Sequence, residues 1–228
     1  MDIVLQPSSV VVLDLDDTLY SERDFLISGY TAVSMALGVA DPVGLSAWMV
    51  ARYDVGKEVI GAAIERSARE QGSTGLEFSE ALRIYREHLP DLSLRPDARR
   101  FLDRLVAEGL PLALITDGRG STQRNKLAAL GIIDLLDPVC ISEEIGVGKP
   151  NPTAFSKVME RYPGRAYSYI GDNPRKDFVA PNALGWQSIC LLDDGKNIHQ
   201  QDFTEAPDGG LPDHRVDSLD QILLPHQQ

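Results

Sequence analysis

The sequence predicts an α/β fold in which a helical segment interrupts a parallel sheet after its first strand. The run VVVLDL at residues 10–15 is rich in β-branched side chains and suits a strand buried on both faces. From residue 95 to residue 192, short apolar runs alternate with helical patterns, which is typical of parallel α/β proteins. Residues 21–90 have helical patterns throughout, so we expect a helical cap at 21–90 and an α/β core formed by 1–20 and 91–228.

The predicted cap contains several amphipathic helices. The first lies within residues 23–39, where apolar side chains recur near one helical face. Asp41 and Pro42 mark the start of a second helix, because Asp is favoured as an N-cap and Pro in the first helical turn. Two further amphipathic helices are predicted at 55–70 and 77–89.

The alternation that predicts the core resumes at Arg95 and Pro96. Glycines follow three of the predicted helices, at the position where a left-handed residue commonly ends a helix. In chain order, the predicted elements are helix 96–108, strand 111–116, helix 121–130, strand 138–142, a helix after Pro152, strand 166–171, helix 175–184 and strand 186–192. Residues 193–212 are predicted to form a polar loop, and residues 214–224 a last short strand and a terminal helix.

Composition argues against several classes of function. The formal net charge is −12, and no cluster of Lys and Arg supplies the basic face that nucleic acid or an anionic membrane surface requires. No apolar run reaches the ~18–20 residues of a membrane span, and the N-terminus lacks the basic region of a secretory signal. Cys140 and Cys190 lie in apolar, strand-like runs, as expected of buried thiols. We therefore expect a cytoplasmic protein with neither a nucleic-acid nor a membrane partner.

Two carboxylates follow the first predicted strand. In an open parallel sheet, ligands bind beyond the carboxyl ends of the strands. Asp14 and Asp16 are two residues apart, so on an extended chain they share one face at a spacing of roughly 6–7 Å. This spacing lets one carboxylate attack a substrate while the other reaches its leaving group. Taken alone, the pattern fits a solvated Asp-rich turn equally well.

Two further loops carry groups that suit a phosphate. Thr116, Asp117 and Gly118 end the strand LALIT, and a hydroxyl and free N–H groups there can hold a phosphoryl oxygen. By itself this pattern is more often an ordinary turn. Lys149 lies between a Gly and a Pro at a helix entry, where a held ammonium neutralises a phosphate; the glycine spacing is not that of a P-loop.

A fourth loop adds Asp172 and Asp177 after the strand AYSYI. Together with Asp14 and Asp16, these residues would form a cluster of carboxylates that repel one another unless a cation intervenes. A donor set of oxygen atoms with few carboxylates suits Mg²⁺. The sequence therefore predicts a magnesium site at the sheet edge.

These four motifs occur in the order of one known family. They are VVLDLDDTLY, LALITDG, VGKPNPTAF and YIGDNPRKDF, and together they span the chain. The sequence resembles the haloacid dehalogenase superfamily, in the phosphatase branch that carries a helical cap between the first and second motifs. This resemblance implies a three-layer, Rossmann-like core. It also implies that the strand before Asp14 is central, flanked by the strands that end at Thr116 and Asp172.

The resemblance also implies the roles of the first-motif residues. Asp14 would match the nucleophile that forms an aspartyl-phosphate, and Asp16 the general acid and base. The carboxylates of Asp14 and Asp172 and the backbone carbonyl of Asp16 would bind Mg²⁺. Asp177 would bind the metal directly or through water.

The remaining motif residues would hold the phosphoryl group. Thr116 and the N–H groups near Asp117 and Gly118 would bind its oxygens, and Lys149 would stabilise its charge. One departure is Asp117, which stands where many relatives have Asn or Ser. The implied activity is magnesium-dependent hydrolysis of a small phosphorylated metabolite.

Three alternatives remain beside this activity. A carbon–halogen hydrolase of the same superfamily would need neither Asp16 nor the metal site, both of which are intact. A phosphosugar mutase shares the aspartyl-phosphate, and the sequence leaves it open. A non-catalytic binding protein would be expected to have lost a motif carboxylate, and none is lost. The four histidines, among them His199 and His226, fall outside every motif and are interpreted as surface or structural residues; the oligomeric state is not predicted.

Overall fold

The structure is a computed structural model, and it describes residues 2–53, 58–72 and 75–225. Its main sheet has six parallel strands, and the strand that the sequence predicts before Asp14 lies inside it. The strands of the described residues are β1 (Ile3–Val4), β2 (Val10–Leu13), β3 (Leu112–Thr116), β4 (Val139–Ile141), β5 (Tyr167–Gly171), β6 (Gln187–Leu191), β7 (His214–Val216) and β8 (Ile222–Leu223). The strand order in the main sheet is β4-β3-β2-β5-β6-β7.

Strand β2 is buried on both faces, as its unbroken apolar run predicts. Val11 and Leu13 pack into one hydrophobic cluster, and Val10 and Val12 pack into another on the opposite face. On one side β2 pairs with β3, and on the other with β5, where Leu13 aligns with Ile170. The expected central position of this strand is therefore confirmed, as is the α/β fold class.

The segment after β2 forms helices, and these helices bury an apolar cluster of their own. They are α1 (Glu22–Ala36), α2 (Pro42–Val50), α3 (Glu58–Gln71) and α4 (Phe78–Glu87). The predicted start of α2 is confirmed, because the side chain of Asp41 accepts a hydrogen bond from the amide of Gly44 at 2.8 Å. The cluster includes Val33 from α1 and Met49 from α2, both fully buried. The predicted start of α3 at residue 55 lies outside the described residues.

The core helices cover both faces of the sheet. They are α5 (Pro96–Ala107), α6 (Gly120–Leu130), α7 (Ser142–Ile145), α8 (Thr153–Arg161) and α9 (Val179–Ala183). Phe101 of α5 and Leu127 of α6 pack on the face of β2 that carries Leu13, and Phe155 of α8 packs on the other. Helix, sheet and helix thus form three layers. Among the described helices, none combines the length and the apolar composition that crossing a bilayer requires.

The predicted terminal helix is wrong. Ser218 caps a short 3-10 helix, Leu219–Gln221, and the chain then continues as β8, which pairs in parallel with β1 near the N-terminus. The fully buried side chain of Ile222 belongs to the core. A partner more than two hundred residues away leaves no trace in local periodicity.

The predicted helix at 175–184 is also shorter in the structure, where α9 covers Val179–Ala183. The amide of Asn173 donates to the side chain of Asp177 at 2.8 Å, and the amide of Asp177 donates to the carbonyl of Asn173 at 3.0 Å. These bonds fold residues 173–177 into a tight turn, so the helix begins later.

Candidate active site

The motif loops meet at the carboxyl end of the sheet, around a cavity of about 160 Å³. The strands β2, β3 and β5 are neighbours, and each delivers its polar residue to this edge. The residues that line the cavity are Asp14, Asp16, Asp17, Glu22, Thr116, Asp117, Asp172, Asn173, Lys176 and His199. Lys149 and Asp177 lie behind this lining, in contact with Asp14 or with each other.

Asp14 lies at the centre of the site and is 4% exposed. Its backbone amide continues the strand pairing by donating to the carbonyl of Ile170 at 2.9 Å. The ammonium of Lys149 donates to Asp14 Oδ1 at 2.7 Å, and it lies 2.7 Å from Asp177 Oδ1. It also donates to the hydroxyl of Tyr169 at 3.1 Å. One buried ammonium therefore bridges two buried carboxylates.

Burial and neighbouring charges oppose each other in this group. Burial raises the pKa of Asp14 to about 6, although Lys149 favours its ionised form. Burial also disfavours the charged form of Lys149, but Asp14 and Asp177 hold the pKa of its ammonium well above the ordinary value. Lys149 is therefore favoured as a cation, beside a carboxylate whose pKa of about 6 lies well above the ordinary value for Asp.

Asp172 completes a cluster of acidic groups. One carboxylate oxygen each from Asp14, Asp172 and Asp177 lie within 4.8 Å of one another, and all three residues are buried. Asp172 Oδ2 accepts only from the amide group of Asn197, at 3.0 Å, among the residues that the structure describes. Burial, with Asp177 and Asp14 beside it, raises the pKa of Asp172 well above its ordinary value. Three carboxylates against the ammonium of Lys149 in contact and that of Lys176 nearby leave excess negative charge, which fits a divalent cation with oxygen ligands.

Asp177 differs from the other two because its oxygens are already occupied. Oδ1 faces Lys149 and accepts from Tyr169 at 3.3 Å, while Oδ2 accepts from the amides of Asp172 and Asn173 at 3.2 and 2.8 Å. These donors and the charge of Lys149 outweigh burial and lower the pKa of Asp177. Asp177 therefore holds Lys149 and the Asp172 loop in place.

Asp16 is surrounded by donors that the motif analysis missed. Its Oδ1 accepts from the ammonium of Lys126 at 2.6 Å and from the hydroxyl of Tyr20, and its Oδ2 accepts from Gln123 at 2.9 Å. Burial alone would raise the pKa of Asp16, but Lys126 and these hydrogen bonds lower it. The sequence contains a pattern that indicates burial of these two polar side chains, because Gln123 and Lys126 fall on the same helical face as the apolar Leu127.

The residues expected to hold a phosphoryl group are not all brought together. The hydroxyl of Thr116 lines the cavity and accepts from Gln123 at 2.6 Å. Asp117 Oδ1 accepts from the backbone amide of Lys149 at 3.0 Å, so this carboxylate braces the neighbouring loop. The amide of Gly118 donates to Ser142 at 2.9 Å, and Gly118 does not line the cavity.

The loop after β6 also reaches the site, which the sequence did not predict. The amide of Ile198 donates to Asp17 Oδ2 at 2.9 Å, and Asn197 binds Asp172. These contacts place His199 on the wall of the cavity, although its side chain is exposed. The charged side chains that line the cavity come from the helical segment after β2 as well as from the motif loops. Glu22 is the first residue of α1, and Lys176 lies in the fourth motif. His226 lies outside the described residues.

Sequence comparison places the chain among known hydrolases. A model of the haloacid dehalogenase-like hydrolases matches residues 9–185. The chain is 28% identical to a ribulose-1,5-bisphosphate 5-phosphatase of Halopiger xanaduensis, over 94% of this chain and 98% of the relative. It is 26% identical to a glyceraldehyde 3-phosphate phosphatase of Methanocaldococcus jannaschii, over 93% and 94%. It is 28% identical to a phosphoglycolate phosphatase of Yersinia pseudotuberculosis, over 94% and 93%.

Solved structures share the fold at lower identity. The hydrolase YfnB of Bacillus subtilis superposes with a TM-score of 0.63 at 17% identity, covering 93% of this chain and 96% of its own. The L-2-haloacid dehalogenase of Xanthobacter autotrophicus superposes with a TM-score of 0.57 at 18% identity, covering 92% and 95%. The fold is therefore shared with a dehalogenase, whereas the sequence relatives above are named phosphatases, and the site residues must distinguish between the two chemistries.

Proposed function

The chain belongs to the haloacid dehalogenase-like hydrolases and is a phosphoric monoester hydrolase; we propose that it cleaves small phosphorylated metabolites with Asp14 as nucleophile and Mg²⁺ as cofactor. The observation that carries this proposal is the buried group at the end of β2. There Lys149 bridges Asp14 and Asp177, and Asp172 adds a third carboxylate. This arrangement supplies a nucleophile, a fixed positive charge and oxygen ligands at one place.

The first proposed step transfers the phosphoryl group to the enzyme. A carboxylate oxygen of Asp14 attacks phosphorus, and the bond from phosphorus to the leaving oxygen breaks. Asp16, in its protonated form, gives its proton to that oxygen as it leaves. Lys149 and the hydroxyl of Thr116 stabilise the charge on the transferring group.

The second proposed step releases phosphate. A water molecule attacks the phosphorus of the aspartyl-phosphate, and Asp16, now a carboxylate, accepts its proton. The bond between phosphorus and Asp14 breaks, which regenerates the free carboxylate. The donors around Asp16 favour the form that this second step uses.

The residues that would hold the metal are Asp14 and Asp172. Both carboxylates retain an oxygen atom that accepts no hydrogen bond from the described residues, whereas Asp177 has none to spare. Bound Mg²⁺ would neutralise and orient the phosphoryl group. Asp177 would act on the site through its bonds to Lys149 and to the Asp172 loop.

The size of the cavity favours a small leaving group. Its volume of about 160 Å³ lies below the roughly 300–1,000 Å³ of pockets that take drug-sized ligands. This is room for a phosphoryl group and a short organic part. The relatives are named for ribulose bisphosphate, glyceraldehyde 3-phosphate and phosphoglycolate, all of which are small phosphorylated metabolites.

A carbon–halogen hydrolase is the rival that the solved structures raise, because dehalogenases share this fold. Such an enzyme would not need a proton donor for a leaving alkoxide, nor an acidic metal cluster. The three donors on Asp16 and the Asp14–Asp172–Asp177 cluster favour phosphate chemistry.

The test is phosphate release from a panel of phosphorylated metabolites, with magnesium and with a chelator. We expect magnesium-dependent release that Asp14→Asn reduces by more than about a thousandfold, because the nucleophile is lost. Asp134→Asn, at an exposed aspartate remote from the site, should keep full activity. An active and folded Asp14→Asn enzyme would exclude Asp14 as nucleophile, and release that survives the chelator would exclude the metal requirement.

A further inference from the structure

Helix α6 presents two buried polar side chains to Asp16, and neither belongs to a motif. Lys126 is 3% exposed and Gln123 is 1% exposed. Burying an ammonium or an amide is unfavourable unless its donors are satisfied. Both side chains meet this requirement on the same carboxylate, at 2.6 Å for Lys126 and 2.9 Å for Gln123.

The two side chains occupy different oxygens of Asp16, so they fix its orientation as well as its position. Lys126 binds Oδ1, which also accepts from the hydroxyl of Tyr20, and Gln123 binds Oδ2. Gln123 in addition donates to Thr116 at 2.6 Å. The helix therefore ties the loop after β2 to the end of β3.

Lys126 is itself held in place from the side of the helical cap. Its ammonium lies 4.3 Å from the ring centre of Phe25 and 5.7 Å from that of Tyr20. A cation over aromatic faces is attracted by them, and Lys126 is 3% exposed. The apolar surroundings leave Asp16 as the only carboxylate paired with Lys126 among the described residues.

We propose that Lys126 and Gln123 are positioning residues that hold the Asp16 carboxyl group on the leaving-group side of the scissile bond. This inference rests on the proposed function, in which Asp16 donates a proton to the leaving oxygen. Proton transfer in the transition state requires the donor within hydrogen-bond reach of that oxygen. A carboxyl group free to rotate at the end of a loop would meet this condition only part of the time.

The leaving group distinguishes this role from a merely structural one. An alkoxide is a strong base and needs a proton as the bond from phosphorus breaks. Acetate, the leaving group of acetyl phosphate, departs as a stable anion and needs none. Loss of positioning should therefore slow phosphoryl transfer to Asp14 from an alkyl phosphate and spare transfer from acetyl phosphate, whereas loss of structure should slow both. Hydrolysis of the aspartyl-phosphate is common to the two substrates, so the transfer step is measured by itself.

The experiment uses the magnesium-loaded enzyme in excess over substrate and measures, in a single turnover, the rate of leaving-group release from acetyl phosphate and from the alkyl phosphate that the wild type hydrolyses fastest. We expect Lys126→Met to lower the rate of alcohol release by roughly 10–100-fold, with the rate of acetate release changed by less than about threefold. Lys157→Met, the same substitution at an exposed lysine of α8, should change neither rate. Equal losses on both substrates, or no loss on either, would overturn the proposal.

A second variant keeps the test decisive if the first one does not fold. Gln123→Met removes the donor to Asp16 Oδ2 and to Thr116 and keeps the length of the side chain. Because the hydroxyl of Thr116 is retained, the variant should produce the same selective loss. If Lys126→Met does not fold, Gln123→Met decides the question by the same criterion.

Asp16→Asn separates this inference from the proposed function. It should lower the single-turnover rate of alcohol release from the alkyl phosphate by about 10²–10⁴-fold and leave the rate of acetate release much less affected. If Asp16→Asn shows no such selectivity, Asp16 is not the proton donor and the proposed mechanism fails. If Asp16→Asn is selective and the folded variants at Lys126 and Gln123 are not, only the positioning role fails.

Discussion

Asp14, Asp16 and Asp172 belong to one sheet edge, yet their surroundings move their pKa values in different directions. Burial raises the pKa of Asp14 to about 6 and that of Asp172 well above its ordinary value. Asp16 is buried as well, but Lys126, Tyr20 and Gln123 lower its pKa. Carboxyl groups whose environments separate their pKa values in this way suit separate roles in acid–base and nucleophilic chemistry.

Asp172 carries a prediction about stability. Burial raises the pKa of Asp172 in the folded protein above its value in the unfolded chain. As pH rises, the unfolded chain therefore ionises first and the free energy of unfolding falls. We expect Asp172→Asn to raise the melting temperature of the metal-free protein at pH 8, measured by thermal unfolding with a chelator. Magnesium, which should stabilise the wild type, should no longer stabilise the variant. A variant that melts lower than wild type in chelator, or that keeps the magnesium shift, would contradict this.

Asp14 carries a prediction about pH. A metal ligand must be deprotonated, so magnesium competes with the proton that Asp14 binds below about pH 6. Magnesium affinity measured by calorimetry should rise between pH 5.5 and pH 7.5 by at least ~4-fold from Asp14 alone, with proton release at the lower pH. Asp172, whose pKa is raised further, should add to this increase. An affinity independent of pH would mean that these carboxylates do not bind the metal.

At the scale of the elements, α5 anchors the end of the chain. Asp97 in its first turn accepts hydrogen bonds from the amide of Leu219 at 3.1 Å and from Ser218 at 3.0 Å, and Arg95 donates to it at 3.2 Å. These contacts hold the 3-10 helix that leads into β8. Helix α5, which the sequence predicts correctly, thus stabilises the short sheet formed by β1 and β8. The sequence does not indicate that Asp97 contacts the segment before β8.

Asp97→Asn should destabilise the protein by about 1–3 kcal/mol at pH 7, because charge-assisted hydrogen bonds are lost at a buried site. Burial would raise the pKa of Asp97, but Arg95 and the amide of Leu219 lower it. Its stabilising effect is therefore complete above the unfolded pKa and is lost as pH falls through the folded one. Urea unfolding at pH 7 and at pH 3 measures this, and the difference from wild type should shrink at pH 3. Asp103→Asn, at an exposed aspartate of the same helix, should have little effect at either pH, and an equal loss in both variants would contradict the role of Asp97.

At the scale of the whole molecule, the helical segment and the sheet have separate apolar clusters but touch at one boundary. The hydroxyl of Thr122 on α6 donates to the carbonyl of Arg86 on α4 at 2.8 Å, and Phe25 of α1 packs into the cluster of the sheet. The division into a cap at 21–90 and a core formed by 1–20 and 91–228 stays a prediction. Separate clusters favour it, and the shared boundary would couple the two parts.

Hydrogen exchange tests this division. Met49 is fully buried in the cap cluster, so Met49→Ala should cost about 2–5 kcal/mol of stability. If the cap is a unit of its own, amide exchange should accelerate in α1 to α4 and remain unchanged in β2 and β3. Met35→Ala, at a 62% exposed position of α1, is the matched control and should change neither. Uniform acceleration across the chain would show one cooperative unit and contradict the division.

Local sequence patterns predicted the parallel sheet, its buried first strand and most of the helices. They did so because burial of one or two faces of a helix or strand makes apolar residues recur at regular spacings, and these spacings are visible within a short stretch of sequence. The same patterns predicted that Asp14, Asp16, Thr116 and Asp172 follow strands, and the family resemblance implied that these strands are neighbours. The structure places all four residues on one cavity. Their chemical roles stay predictions until the variants are measured.

Only the tertiary structure decided which groups meet across the fold. Lys126 and Gln123 lie more than a hundred residues from Asp16, and β8 pairs with a strand at the opposite end of the chain. The amide of Gly118, predicted to be free for a phosphate, instead donates to Ser142. The physical reason is that the spacing of apolar residues in a short stretch of sequence indicates which side chains are buried. Which groups they then contact depends on how distant helices and strands pack together, and a short stretch of sequence does not contain that information.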